Sequence, residues 1–236
     1  MAHIPHSTPS SYEANLRRGR RVLLILIGVL IATITLAALI AHVRVSATVA
    51  PSSDILQPEN MPMQTAASPD IGSSIGETHL LTSWTGVARA NYRIDARVLG
   101  ARRYYFDLYS RFSPVDFALA WGHMANPDVD AWIQWRQRNR WYYYQIPTGS
   151  PYSLDEIRDQ SANVHIIPAS ATLERALLDV EAGDTIRLEG LLVDVNVTLL
   201  GWEFETPTSL SRTDSGAGAC EVFYVERLVR NGLEYR

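Results

Sequence analysis

The sequence predicts an α+β fold, with an N-terminal transmembrane helix and a soluble domain in which helices pack on a bent antiparallel sheet or a small OB-like barrel. Three observations support this prediction. Residues 22–41 form an uncharged, mostly apolar run, and several later segments alternate between polar and apolar side chains. In one of those segments, residues 185–195, the apolar side chains move from even to odd positions at Gly190.

The apolar run is long enough to cross a bilayer. At a rise of about 1.5 Å per residue it would form a helix of about 30 Å, which matches the hydrocarbon thickness of a membrane. The chain therefore divides into a cytoplasmic tail, a transmembrane helix, a flexible linker and an extracytoplasmic α+β domain, at residues 1–21, 22–43, 44–80 and 81–236.

The distribution of arginine predicts the orientation of this helix. Residues 17–21 contain four arginines, whereas the thirty residues after the run contain only Arg44. The positive-inside rule then places the N-terminus in the cytoplasm and the domain on the far side of the membrane, with a single span. A signal peptide cleaved near Ala47 is the alternative, although its apolar region would be unusually long.

Composition limits the class of the domain. Residues 44–80 are rich in proline and serine and poor in large aliphatic residues, which is typical of a linker. All six tryptophans follow it. The chain has 21 basic and 25 acidic residues and a net charge of −4, so nucleic acid is not an expected partner. The single cysteine, Cys220, cannot form an intramolecular disulfide and is expected to be buried.

Periodicity and cap residues predict the secondary structure. The start residues Ser113-Pro114 and Asn126-Pro127 favour a short helix that ends at Gly122 and a second that buries Trp132. Two more helices are predicted, one that begins at Ser153 and one at 173–180 with apolar residues at helical spacing. The main predicted strands are 92–98, 102–109, 140–146, 164–167, 185–195, 202–205 and 220–228.

Gly190 is predicted to have a structural role. Ile186 and Leu188 are the apolar residues before it, and Leu191 and Val193 are those after it, so the apolar set moves from even to odd positions. A change of one residue moves side chains to the opposite face of a strand. We therefore expect a bulge or sharp bend at Gly190, as in strands that turn the corner of a small barrel.

Three blocks of this sequence resemble uncharacterised single-pass proteins of bacterial envelopes. The blocks are SPVDFALAWG at residues 113–122, SANVHIIPA at 161–169 and GACE at 218–221. The resemblance covers about residues 80–230. It implies an inner-membrane setting and carries no activity.

Cys220, His165 and Asn163 are the candidates for catalysis, because a thiol, an imidazole and an amide together form the reactive set of a thiol hydrolase. Each candidate also has a simpler interpretation, namely burial for Cys220 and a short apolar strand for His165. Asp116 is interpreted as a helix-capping residue with a structural role. The histidines lack metal-ligand spacing, and the glycine pair at residues 216 and 218 precedes a strand, so no metal or cofactor is expected.

An arginine-aromatic segment is the predicted partner-binding surface. Aromatic residues and arginine dominate the energy of protein interfaces, and here they fall within a few positions of one another. Trp135 is the residue most expected to be exposed. The alternative is a helix end with favourable cations, followed by a half-buried strand. The residues of this surface are Trp135, Arg136, Arg138, Arg140 and Trp141.

Two functional hypotheses follow from the sequence. The first is a membrane-tethered envelope domain that binds a partner protein or supports an assembly without catalysis. The second is an envelope hydrolase that uses Cys220, His165 or both.

Overall fold

The computed structural model divides the chain into two compact units, residues 1–47 and 48–236, and each is considered by itself. The residues it describes are 20, 22–35, 49–67, 75–78, 82–214, 216 and 218–236.

In the first unit, residues 22–35 form a helix, α1. No helix in the described part of the chain is both long enough and apolar enough to cross a membrane. This finding overturns the predicted transmembrane helix at 22–43, of which residues 36–43 lie outside the described residues. The predicted envelope location depended on that helix and on the arginine asymmetry, and it stays an untested prediction.

The second unit is mostly β-structure. Among the described residues, strands are far more extensive than helices, so the predicted α+β class is wrong. The strands are β1 (Val49–Pro51), β2 (Met63–Ala66), β3 (Ile75–Thr78), β4 (Thr82–Arg103), β5 (Val115–Ala120), β6 (Gln134–Arg138), β7 (Trp141–Gln145), β8 (Ser161–Pro168), β9 (Thr185–Leu199), β10 (Trp202–Thr206), β11 (Glu221–Arg230) and β12 (Leu233–Tyr235).

Two α-helices lie between these strands, α2 (Leu154–Asp159) and α3 (Ala171–Leu178). Both were predicted from the sequence and are confirmed. The hydroxyl of Ser153 accepts a hydrogen bond from the Glu156 amide at the start of α2, and that of Ser170 accepts from the Leu173 amide at the start of α3. The predicted linker at 44–80 contributes strands β1, β2 and β3 to the main sheet.

Five strands close into a barrel. β4 pairs with β5, β5 with β8, β8 with β11, β11 with β9, and β9 returns to β4. The β8–β11 pair is parallel and the other four are antiparallel, and α3 connects the third strand to the fourth. This connectivity is that of OB-type barrels. The sequence placed a barrel within residues 183–230, but the observed ring also needs β4, β5 and β8.

Two regions predicted as helix have another structure. Residues 115–120 form β5, in which all six side chains are buried. The segment that begins at Asn126 forms only a 3-10 turn at Pro127–Ala131, and Trp135 and Arg136 lie on β6. The cap residues were identified correctly for the turn, since the Asn126 side chain accepts from the Asp128 amide. Burial in the barrel wall overrides the local helix signal in β5.

β9 explains the parity change at Gly190. Its even residues Ile186, Leu188 and Leu192 belong to the barrel core, whereas the odd residues from Leu191 onward belong to a second apolar cluster. The second cluster covers the outer face of the strand only beyond Gly190. Both faces are buried only at Leu191 to Val193; beyond them Asp194 is half-buried and Asn196 is exposed, so the buried face of β9 changes to the odd residues.

Gly190 itself lies where two backbones approach closely. It pairs with Val225, and the register of β11 shifts between Val225 and Arg227 directly opposite. Its φ angle is 155°, and a Cβ atom at this position would lie 2.1 Å from the Tyr224 carbonyl oxygen. The close approach at the β11 bulge therefore leaves no room for a side chain.

We expect Gly190→Ala to lower the free energy of unfolding by about 3 kcal/mol, because its Cβ would push the Tyr224 carbonyl out of the β9–β11 pairing. Gly149→Ala is the matched control, since Gly149 has a φ of 88° but open space around its Cβ position. The control should cost about 1 kcal/mol for the backbone angle alone. Chemical denaturation measures both, and equal losses would show that the approach to Tyr224 is not the constraint.

Candidate functional site

Three neighbouring barrel strands bring the candidate residues together. His165 on β8 pairs with Asp116 on β5 and with Val222 on β11. Cys220 immediately precedes β11, so it lies beside the same stretch of β8. The parallel β8–β11 pair thus places the thiol next to an imidazole that is 55 positions earlier in the chain.

Asp116 is the most buried charged residue of this group, with a fully buried side chain. Its Oδ1 atom accepts a hydrogen bond of 2.8 Å from Arg140 Nη1 and lies 3.0 Å from His165 Nδ1. The latter distance is that of an ion pair, although the two groups are not aligned as a hydrogen bond. The Oδ2 atom has no hydrogen-bond partner. A single buried carboxylate therefore faces two basic side chains.

Arg140 connects this carboxylate to two loops. Its guanidinium hydrogen-bonds both carboxylate oxygens of Asp107 at 2.8 and 2.9 Å, and it also donates to the Ser113 carbonyl. It stacks over the Tyr104 ring at 3.8 Å. The nearby carboxylates raise the pKa of Arg140 further above its usual range, against the effect of burial. Although predicted as a partner-binding residue, Arg140 directs its charge into the protein.

His165 has a strongly perturbed pKa. Burial alone would lower it, but the carboxylate of Asp116 and the sulfur of Cys220 beside the ring together raise the pKa of His165 to about 9. The imidazole is therefore protonated at neutral pH. Asn163 is also next to the sulfur, since its Nδ2 atom lies 3.7 Å from Cys220 Sγ and donates to the Arg140 carbonyl.

Two cavities meet at Cys220. The larger has a volume of about 380 Å³ and contains His165, and its walls are mostly apolar. The smaller has a volume of about 190 Å³ and contains Asn163, and its walls combine charged and polar side chains with aromatic ones. Cys220 and Trp141 line both. The apolar walls of the larger cavity include Tyr109, Phe112, Pro207 and Val222, and the polar walls of the smaller include Arg158, Ser161, Arg212, Asp214 and Glu221.

A second buried charge pair forms part of the smaller cavity. The Glu221 carboxylate contacts the Arg212 guanidinium, and that guanidinium lies over the rings of Tyr92 and Trp121. Burial raises the pKa of Glu221 to about 7, although Arg212 opposes the shift. Glu221 Oε2 and Arg212 Nη2 have no hydrogen-bond partner.

The arginine-aromatic segment forms the β6–β7 hairpin, whose two faces differ. Trp135 was expected to be exposed but is half-buried, stacks on Tyr142 and donates from Nε1 to Asp130 at 3.1 Å. Arg136 and Arg138 are exposed on the other face. They lie opposite Tyr143 and Trp141, whose exposed fractions are 52% and 37%. The predicted surface is therefore split between an inner and an outer face.

The sequence did not identify Asp107, Arg212 and Glu221 as site residues, and it assigned Asp116 to a helix cap. Asp116 had one usable signal, since it is the only charged residue in the apolar run 115–120. A charge inside a buried strand needs a partner. Glu221 directly follows Cys220 in the chain, whereas Asp107 and Arg212 lie in loops whose positions depend on the folded barrel.

Comparisons with known protein families, characterised proteins and solved structures find no match for this chain. Within the described residues, no group of three or more His, Cys, Asp or Glu side chains is arranged to hold a metal ion.

We expect His165 to make the stability of the protein depend on pH. The folded protein keeps a proton on His165 up to about pH 9, whereas the unfolded chain releases it near 6.5. The stabilising contribution is thus complete below about pH 6.5 and is lost as pH rises through about 9. The associated fall in the free energy of unfolding should be on the order of 2–3 kcal/mol.

The measurement is chemical denaturation of the wild type and His165→Gln at several pH values between about 6 and 9.5. Glu221 loses its proton near pH 7 in both proteins, so the difference between the two curves removes its contribution and reports His165 together with the Cys220 thiol beside it. A difference that does not change with pH would contradict the raised pKa.

Proposed function

We propose that the protein is a thiol-dependent acyl-transfer enzyme, most simply a hydrolase, with Cys220 as its nucleophile. The observation that supports this proposal is the connected series Asp116–His165–Cys220, which ends with the sulfur in the wall of two cavities. A nucleophile, a base that contacts it and a third group that orients the base are the parts of a catalytic triad.

The proposed reaction starts from a protonated His165 beside a Cys220 thiolate. A cation next to the sulfur stabilises the thiolate, which is the nucleophilic form. The thiolate attacks the substrate carbonyl carbon and forms a C–S bond, and the carbonyl oxygen takes the electron pair. The intermediate then collapses, the bond to the leaving group breaks, and that group takes the proton from His165.

The second half of the cycle releases the acyl group. Neutral His165 removes a proton from a water molecule, whose oxygen attacks the thioester carbon. The C–S bond breaks, the acid is released, and the thiolate and the protonated imidazole are restored. In both halves Asp116 holds the imidazole in place, and Arg140 in turn holds Asp116. These two residues position the base and do not touch the substrate.

We expect Cys220→Ser to lower the rate of release of p-nitrophenolate from p-nitrophenyl acetate by about 10³-fold or more, because the serine hydroxyl would lack a base suited to remove its proton.

His165→Gln should lower the rate at which iodoacetamide alkylates Cys220 at about pH 6.5 by about tenfold. Cys220 is the single cysteine of the chain, so mass spectrometry reports its modification without ambiguity.

His123→Gln is the matched control for this experiment. His123 pairs with Glu156 on the surface and does not line either cavity at Cys220. The His123→Gln variant should leave the rate of p-nitrophenolate release and the rate of alkylation by iodoacetamide unchanged. Slow alkylation of the wild type, equal to that of a free thiol and unaffected by His165→Gln, would rule out an activated Cys220.

The outer face of the β6–β7 hairpin favours a second function, the binding of a partner protein. Arg136 and Arg138 have no hydrogen-bond or ion-pair partner within the described residues, and each lies opposite an exposed aromatic side chain. We propose that this face binds an acidic segment of a partner, because unpaired arginines beside aromatics match carboxylates and apolar groups together.

We expect the wild type to bind a fluorescent peptide that contains glutamate and tryptophan, and binding should weaken as salt concentration rises. Arg136→Glu with Arg138→Glu should weaken it by about tenfold or more, because both charges are reversed. Arg175→Glu, on the exposed side of α3, is the control. An equal loss in the control would show that only net charge matters.

A further inference from the structure

We infer that the Cys220 site takes substrates with an apolar, ring-sized leaving group and a polar acyl group. This inference rests on the proposed acyl transfer. It adds which of the two cavities holds the leaving group and which holds the acyl group. It follows from the different character of the two cavities and from the positions of His165 and Asn163 between them.

The position of His165 determines where the leaving group lies. In acyl transfer the general acid must reach the leaving-group atom to protonate it as the bond breaks. His165 lines the larger cavity and does not line the smaller one. The leaving group therefore occupies the larger cavity.

The larger cavity suits an apolar group. Its walls include the side chains of Tyr109, Phe112, Trp141 and Val222, and its volume of about 380 Å³ admits a six-membered ring with a short stem. The guanidinium of Arg140 at its inner end already bonds Asp107, Asp116 and Ser113. Apart from Arg140 and His165, the charged or aliphatic hydroxyl side chains of this wall are Ser113 and, on β10, Glu205 and Thr206.

The acyl side is less apolar and carries more charged side chains. Asn163 Nδ2, at 3.7 Å from Sγ, lies in the smaller cavity and is placed to donate to the oxygen that becomes negative on a carbonyl carbon bound to the sulfur. The same cavity holds the carboxylate of Glu221 and the guanidinium of Arg212, each with one buried atom that lacks a partner. The other polar residues that line this cavity include Arg158, Ser161 and Asp214, so a polar acyl group has polar partners there.

The test uses three thioesters. Two share an N-acetylglycyl acyl group and differ in the leaving thiol, 2-phenylethanethiol or N-acetylcysteamine, and the third joins 3-phenylpropanoyl to N-acetylcysteamine. The kcat/KM for thiol release is divided by the uncatalysed rate of each ester. We expect the phenylethyl ester to exceed both others by about tenfold or more, the usual discrimination of an apolar pocket for a group of this size.

A filled cavity provides the control. Glu205 on β10 lines the larger cavity, whereas Glu203, two positions earlier on the same strand, is exposed and does not line it. Glu205→Trp should remove the preference for the phenylethyl thiol, and Glu203→Trp should keep it. Turnover that requires Cys220 but favours the 3-phenylpropanoyl ester would overturn this orientation and leave the proposed function standing. The absence of any turnover that requires Cys220 would overturn the proposed function itself.

Discussion

The arrangement of the site depends on the buried carboxylate of Asp116. Moving an ionised carboxylate from water into the interior of a protein costs several kcal/mol unless charged partners compensate for it. Arg140 and His165 supply that compensation. Arg140 also joins Asp107 and Ser113, so the same carboxylate fixes the turn of the β6–β7 hairpin and the β4–β5 loop against the barrel. Both supply walls of the larger cavity.

The barrel determines which residues meet at this carboxylate. Closure requires β11 to lie parallel to β8, and that pairing brings the loop before β11 to the outer side of His165. In barrels of this connectivity, ligands commonly bind on the face of the second and third strands, between the loops that follow the first and the fourth strands. The larger cavity has this position, with Phe112 from the first of those loops and Pro207 from the second.

The sequence predicted local elements better than their assembly. The alternation at 92–98 and the helical spacing at 173–180 correspond to parts of β4 and to α3, since both signals come from neighbouring residues. β5 was missed because Ser113-Pro114 resembles a helix start, and only burial on both faces makes 115–120 a strand. The contact between Cys220 and His165 depends on barrel closure, so local periodicity carries no information about it.

Half of the buried side-chain polar atoms that lack a hydrogen-bond partner, among the described residues, lie near Cys220. Buried polar groups in folded proteins nearly always have such partners. The exceptions here are on Trp84, Arg97, Trp121 and Arg227, and on Asp116, His165, Glu221 and Arg212. The last four lie around Cys220, and Glu221 and Arg212 line the smaller cavity. A protein that only needed a stable barrel would gain from replacing such groups with apolar ones, because each unpaired group lowers stability. The four such groups around one thiol are a reason to test this region first for function.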